Sequence, residues 1–216
     1  TSLAKSLYYA SDLAGLEELS RLTLTKQKQE IVDFYYAAEK IKQGFFEEGL
    51  EIMTLLVAQG LDTKYSKLST IWLAANVENV EKVKGLINDL RSKEPSFSDA
   101  MLFNARFSYK LNEMDAAANE FQSFLQLHPN AHDIRLMYVR SLARNSQFDE
   151  ADKQANLLLK ISPNSPLLNE IKGQVAFTNK DYRQAKTFAE KSLNSNPSAI
   201  IPSIVAGVSA YYLDEL

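Results

Sequence analysis

The stretch "NKDYRQAKTFAEKSLNSNP", residues 179–197, decides the fold because its pattern also occurs one segment earlier. In "NSQFDEADKQANLLLKISP", residues 145–163, an aromatic residue, two alanines and a closing proline stand at the same places. Four of the six prolines keep this spacing of 34 residues. A fixed period of about 20–50 residues is typical of stacked structural repeats. The four prolines are Pro95, Pro129, Pro163 and Pro197.

Small and apolar residues follow the same period. They stand twelve and eight places before each proline, a helical spacing that puts both on one face. We therefore predict a second helix in each unit that packs closely on a first helix and ends near the proline, which cannot continue it. The residues twelve places before are Val83, Ala117, Ala151 and Ala185, and those eight places before are Ile87, Phe121, Ala155 and Ala189.

The period predicts one continuous domain over residues 1–216. Its complete units are 30–63, 64–97, 98–131, 132–165 and 166–199, with a partial or capping unit at 1–29. Residues 200–216 are predicted to be the first helix of a further, truncated unit. That helix would leave Val205, Val208 and Tyr212 partly bare, so we expect either a longer parent protein or a homodimer through this open end.

The composition excludes several classes of function. The chain has 216 residues, of which 45% are hydrophobic, and a net charge of −3, which argues against a generic nucleic-acid binder. Without cysteine there are no disulfides, thiolate metal sites or cysteine nucleophiles. No apolar run approaches the ~20 residues of a membrane helix, so we expect no membrane insertion by this segment. Zero cysteine also favours, weakly, an extracytoplasmic bacterial protein.

The sequence resembles the tetratricopeptide repeat family over at least residues 30–212. Gly173, Tyr182, Ala185, Ala189 and Pro197 carry the resemblance in one unit, and Phe148, Ala151, Ala155 and Pro163 carry it in its neighbour. Departures occur where the family usually has a large aromatic residue, at Met101, Arg135 and Asn169. The resemblance implies an all-α, right-handed helical solenoid. Its concave groove, lined by first helices, would act as a scaffold for peptides or partner proteins and not as an enzyme.

A narrower resemblance covers residues 167–216. "LLNEIKGQVAFTNKDYRQAKTFAEKSLNSNPSAIIPSIVAGVSAYYLDEL" is similar to repeats of periplasmic lipoproteins from exosortase (PEP-CTERM) exopolysaccharide systems. This resemblance implies a periplasmic or envelope-associated protein, with a cytoplasmic one as the alternative. It also gives an alternative function, a carbohydrate-associated or self-assembling structural component of polysaccharide export.

In the family geometry the ninth and thirteenth residues of each first helix point into the groove. Two adjacent units place four basic side chains there, in a chain that is acidic overall. Because arginine forms forked bonds to carboxylates, we predict a partner protein or an extended acidic peptide as the ligand. The partner-binding residues are predicted to be Trp72, Asn76, Arg106, Tyr109, Lys110, Arg140, Arg144, Gln174 and Phe177.

Simpler interpretations stay open beside this one. Exposed helix faces often carry basic residues, and acidic neighbours such as Asp99, Asp133 or Glu170 could pair with them for only about 0–1 kcal/mol. The lysine–asparagine pattern of a chaperone-tail carboxylate clamp is absent, since Leu68 and Leu102 stand at lysine places.

Other signals give no catalytic or metal site, and no cofactor is predicted. His128 and His132 flank Pro129 in a turn. The tyrosine pairs at 8–9, 35–36 and 211–212 could stack on bases, but at least one tyrosine of each pair is expected to pack in the core, so no nucleic acid is predicted.

Overall fold

The structure, a computed structural model, describes residues 2–22, 24–77 and 79–215. These residues form thirteen α-helices and no strand, which confirms the predicted all-α class. The helices are α1 (Ser2–Tyr9), α2 (Leu13–Ser20), α3 (Lys26–Lys42), α4 (Phe46–Ala58), α5 (Lys64–Asn76), α6 (Val80–Lys93), α7 (Ser98–Lys110), α8 (Met114–Leu127), α9 (His132–Arg144), α10 (Phe148–Leu159), α11 (Pro166–Thr178), α12 (Tyr182–Ser195) and α13 (Ile200–Tyr212).

The helix starts keep the period of the prolines. First helices α5, α7, α9, α11 and α13 begin at residues 64, 98, 132, 166 and 200. Second helices α4, α6, α8, α10 and α12 begin at residues 46, 80, 114, 148 and 182. Helix α3 begins at Lys26, four residues before the start of its predicted unit at residue 30. Each second helix from α6 to α12 ends shortly before its proline, as the missing backbone donor requires.

The chain divides into two compact units, residues 1–100 and residues 101–216. Each has its own buried apolar side chains. In the first unit these include Leu16, Tyr35, Met53, Leu68 and Ile87. In the second unit a continuous cluster runs from α7 to α11, with Phe121 and Phe124 fully buried in it. The single continuous domain and its repeat boundaries stay a prediction.

Small residues lie where the helices of a pair approach most closely. Ala185 and Ala189 of α12 are buried against α11. A Cβ added to Gly173 would lie 3.4 Å from the backbone nitrogen of Ala189 and 3.5 Å from the carbonyl oxygen of Ala185. The backbones are thus close enough that a large side chain could not fit between them, as the spacing of these residues predicts.

The turn that follows most first helices contains one residue with positive φ at a fixed place. It recurs at the 34-residue period, and the backbone N–H of the next residue donates to the carbonyl five residues back. The Asp181 N–H, for example, donates to the Ala176 carbonyl at 2.9 Å, a Schellman-type helix end. The positive-φ residues are Gly44, Asn112, Ser146, Lys180 and Asp214.

A polar cluster is buried inside the first unit. Tyr35 is fully buried and its hydroxyl donates to Asp99 Oδ2 at 2.9 Å. Lys5 Nζ donates to Ser98 Oγ at 2.8 Å and lies 3.4 Å from the same carboxylate oxygen of Asp99. Three separate helices are therefore joined through one carboxylate, a contact that the repeat pattern alone did not indicate.

Aromatic rings form a row beside this cluster. The ring centroids of Tyr8 and Tyr35 lie 5.5 Å apart, those of Tyr35 and Tyr65 lie 6.0 Å apart, and those of Tyr65 and Phe97 lie 5.2 Å apart. These distances are typical of packed aromatic pairs. The row thus links α1, α3 and α5 to the turn before α7 within the first unit.

Two expectations about the last helix are wrong. Val205, expected to be partly bare, is 7% exposed and packs against Ala185 and Ala189. Tyr8 and Tyr35 are buried as expected, but Tyr211 and Tyr212 are both exposed, so neither tyrosine of that pair is core. The reason is that α13 packs only one face, the one that carries Val205, against the preceding helices.

Gly49→Ala and Gly85→Ala are expected to have opposite effects on the stability of the first unit. A Cβ at Gly49 would lie 2.8 Å from the Ala37 carbonyl oxygen, whereas nothing lies within 4 Å of one at Gly85. Overpacking costs about 1–3 kcal/mol, while alanine in place of an exposed helical glycine gains about 1 kcal/mol. Urea unfolding measures both variants, and equal shifts of the midpoint would contradict the close approach at Gly49.

Candidate binding strip

The structure places the predicted binding residues in both compact units. Trp72 and Asn76 lie on α5 in the first unit, Trp72 half-buried and Asn76 exposed at the helix end. The other seven lie on α7, α9 and α11 in the second unit. We call the ninth and thirteenth residues of the first helices in the second unit the strip; they are Arg106, Lys110, Arg140, Arg144, Gln174, Thr178, Val208 and Tyr212.

Arg144 is held in place by neutral groups from the preceding helix pair. Its Nη2 donates to Asn112 Oδ1 at 2.7 Å, and its guanidinium carbon lies 5.4 Å from the centroid of the Tyr109 ring. Asn112 is the positive-φ residue of its turn, a conformation that asparagine tolerates well. The guanidinium is therefore positioned without being neutralised by these two contacts, although it is exposed.

Arg140 lies one turn before Arg144 on α9 and is exposed. Its charge acts on Glu170 of α11: burial raises the pKa of the Glu170 carboxyl, and Arg140 lowers it in part. Gln174 Nε2 also donates to Glu170 Oε1, at 3.3 Å. Of the acidic neighbours that could pair with basic residues here, Glu170 therefore does interact with Arg140, while Asp99 binds Tyr35 and Lys5 instead.

The two basic residues of α7 differ in exposure. Lys110, the last residue of the helix, is exposed, whereas Arg106 is half-buried and already makes contacts of its own. Of the basic residues of the strip, Lys110, Arg140 and Arg144 are therefore exposed. These side chains can reach a bound chain more easily than Arg106 can.

At the α13 end of the strip, Tyr212 is surrounded by other aromatic rings. The ring of Tyr182 stacks on that of Tyr212, with centroids 4.3 Å apart and an interplanar angle of 10°. Phe177 meets Tyr182 edge-on at 5.8 Å, and Tyr211 meets Tyr212 edge-on at 5.6 Å. We call these four residues the aromatic cluster. Val208 and Tyr212 were predicted only to be bare, although the same repeat spacing places them at the ninth and thirteenth places.

A separate cavity of about 450 Å³ lies between α10, α11 and α12. Its polar groups largely satisfy one another: Lys172 Nζ lies 2.5 Å from Asp152 Oδ1, and Asp181 accepts the backbone N–H of Gln184 at the start of α12. These contacts explain the polar lining as internal structure and indicate no particular ligand.

The histidine pair lies where the sequence places it. His128 caps α8 with its ring 4.6 Å from that of Phe124, and His132 begins α9. In the part of the chain that the structure describes, no three His, Cys, Asp or Glu side chains come together as metal ligands. Within the same ranges, no helix combines the length and apolarity needed to cross a membrane.

Comparison of the sequence with known proteins gives one short match and no family. No protein-family model matches the chain. Over 89 residues, 41% of the chain, it is 28% identical to intraflagellar transport protein 70A of Danio rerio. The match spans only 14% of the length of that relative.

Solved structures match over much more of the chain. YrrB, described as a tetratricopeptide protein with an unusual peptide-binding site, aligns with a TM-score of 0.63 and 14% identity over 83% of this chain and 92% of its own. PilF of Pseudomonas aeruginosa aligns with a TM-score of 0.65 and 8% identity over 88% of this chain and 86% of its own. Cut9 with Hcn1, from the APC/C, aligns with a TM-score of 0.64 and 14% identity over 93% of this chain and 39% of that one. With the helix period described above, these alignments show that the chain has the tetratricopeptide-type helical fold.

Proposed function

We propose that the protein is a protein–protein interaction scaffold and that the strip in its second unit binds an extended acidic segment of a partner. The observation that carries this proposal is the setting of Arg144. Asn112 and Tyr109 hold its guanidinium in position while leaving its charge for a carboxylate. Charge-assisted, forked bonds from arginine to carboxylates are among the stronger polar contacts in recognition.

The surrounding charges support an acidic ligand. Lys110 and Arg140 are also exposed, in a chain with a net charge of −3. Arg140 lies four residues before Arg144 on α9, and Lys110 holds the same place as Arg144 one repeat earlier. Glu170 is the acidic group that acts on Arg140: burial raises the pKa of its carboxyl, and the charge of Arg140 lowers it. YrrB, which shares the fold, has a peptide-binding site, and this supports a peptide as the kind of ligand.

Binding of a labelled glutamate-rich peptide tests the proposal. We expect the affinity, measured by fluorescence anisotropy, to fall clearly as salt rises from about 50 to about 300 mM, because exposed charges are screened over shorter distances. The double variant Arg140→Glu with Arg144→Glu is expected to weaken binding at least about tenfold, since it replaces attraction by repulsion.

The matched control is Lys153→Glu with Lys191→Glu. It changes the net charge by the same amount, but on exposed residues of the second helices α10 and α12. We expect this control to keep most of the affinity, and circular dichroism to show unchanged helicity in both double variants. Equal losses in the two would mean that the peptide senses only the net charge, and the strip would then be a solvated face.

A structural role in an envelope polysaccharide system is the alternative function. The aromatic cluster favours this alternative, because aromatic rings also stack on sugars. PilW, which has a similar fold, is a type IV pilus biogenesis factor, and this supports a periplasmic or envelope location. The alternative predicts salt-insensitive binding of soluble polysaccharide, or a concentration-dependent homodimer through α13 in light scattering. The exposed apolar residues of α13 include Ile200, Ile201 and Ile204.

A further inference from the structure

We infer that the acidic segment also carries an aromatic or large aliphatic side chain, and that Tyr212, backed by Tyr182, holds this side chain at the α13 end of the strip. The inference rests on the proposed function and adds to it a second contact and an order along the ligand. It depends on three observations: the change of chemistry along the strip, the geometry of Tyr212 and the spacing of the helices.

The strip changes chemistry in one direction. On α9 its two residues are Arg140 and Arg144, on α11 they are Gln174 and Thr178, and on α13 they are Val208 and Tyr212. Positive charge is therefore followed by neutral polar groups and then by apolar groups. A ligand that is acidic throughout would match only the first part, whereas a ligand with an apolar residue beyond its carboxylates matches the whole strip.

Tyr212 is placed to receive such a residue. One face of its ring is covered by Tyr182 at 4.3 Å, and Tyr182 is in turn steadied edge-on by Phe177. Yet Tyr212 remains 56% exposed. A ring that is fixed on one face and open elsewhere gives an apolar contact without first losing much side-chain freedom, which is what a binding anchor requires.

The spacing of the helices sets the distance between the two contacts. Helices α9 and α13 are first helices two repeats apart, and packed helix axes lie about 8–10 Å apart. An extended chain advances about 3.3–3.6 Å per residue, so about five or six residues separate the carboxylates from the apolar side chain.

A series of designed peptides tests this on the 216-residue chain. Each peptide carries a run of glutamates, and the reference peptide carries nothing else. In the other peptides a Gly/Ser spacer of about two, five or ten residues joins the glutamates to a single phenylalanine. Each spacer is used twice, once with the phenylalanine after the glutamates and once with it before them. We expect the spacer of about five residues, in one order, to tighten binding about three- to tenfold over the peptide without phenylalanine, the range that one aromatic contact gives.

The variant Tyr212→Ala is expected to remove this gain, so that the peptides with and without phenylalanine bind it with equal affinity. Tyr211→Ala is the matched control, because Tyr211 is 63% exposed on the same helix but does not stand at a ninth or thirteenth place. It is expected to keep the gain. Circular dichroism checks that both variants retain their helicity.

The outcomes separate the two proposals. If phenylalanine adds nothing at any spacing, or if its gain survives Tyr212→Ala, the second contact is wrong while the acidic strip stands. If a soluble polysaccharide binds and competes with phenylalanine for the aromatic cluster while no gain depends on spacing, the cluster belongs to a sugar site and the inference is overturned. If no peptide of the series binds, the proposed function and this inference both fail.

Discussion

Phe121→Ala is expected to lower the free energy of unfolding of the second compact unit by about 3–5 kcal/mol, the usual cost of removing a fully buried aromatic side chain. Phe121 has no exposed surface and stands eight places before Pro129, where its helix meets the core cluster of the unit. Neighbours in that cluster come from α7, α9 and α10, so the void would weaken contacts between successive helix pairs. In a repeat protein these contacts supply much of the stability.

Leu127→Ala is the control for this prediction. Leu127 lies on the same helix, α8, but is 48% exposed, so we expect its replacement to change stability by less than about 0.5 kcal/mol. Urea unfolding followed by circular dichroism measures both variants. A small effect of Phe121→Ala would mean that the second unit does not depend on this cluster for its cohesion.

Asp99→Ala is expected to cost the first unit about 2–3 kcal/mol, because it leaves the buried hydroxyl of Tyr35 without its charged acceptor. Lys5 loses an ion-pair partner as well, but its side chain is 28% exposed and can return to water. Tyr35→Phe removes only the donor, and Asp99 keeps Lys5, so about 1 kcal/mol is expected for that variant. The double variant completes a thermodynamic cycle, and additive effects would show that the two residues do not interact.

The same contact predicts how stability depends on alkaline pH. Burial, followed by the negative charge of Asp99, raises the pKa of Tyr35. Above about pH 10 an unfolded tyrosine releases its proton while folded Tyr35 keeps it, so the unfolded state binds fewer protons and stability falls by about 1.4 kcal/mol per pH unit. This contribution is fully present below pH 10 and is lost as the pH rises. Urea midpoints between pH 8 and about pH 11 are expected to fall less steeply in Tyr35→Phe than in the unchanged protein.

The sequence predicted the helices well because their signal is local and repeated. Pro129 and the alanines at 151, 155, 185 and 189 mark the second helices, and the structure has helices at these places. What the pattern missed depends on contacts distant in sequence. The bond between Tyr35 and Asp99 joins residues 64 positions apart, and no periodicity could indicate it.

The strip was predicted only in part for a related reason. Family geometry gave the ninth and thirteenth places, but the environment of each side chain follows from its neighbours. Arg144 rests on Asn112, a turn residue, and Arg106 is half-buried with contacts of its own, although both are basic residues at strip positions. The repeat therefore predicts where these residues lie, but how exposed each side chain is depends on the turns and helices that pack around it.

The positive-φ residue in the turns has a consequence for how proteins of this kind can change in length. Gly44, Asn112, Ser146, Lys180 and Asp214 share a backbone conformation but no residue type. Many side chains are thus accepted at this turn position, but its place in the 34-residue repeat does not change. Gain or loss of 34 residues joins one such turn to an equivalent one and leaves every helix pair intact. Gain or loss within a helix of a number of residues that is not a multiple of 34 puts a helix where a turn is required, so proteins built from such repeats are expected to differ in length mainly by whole repeats.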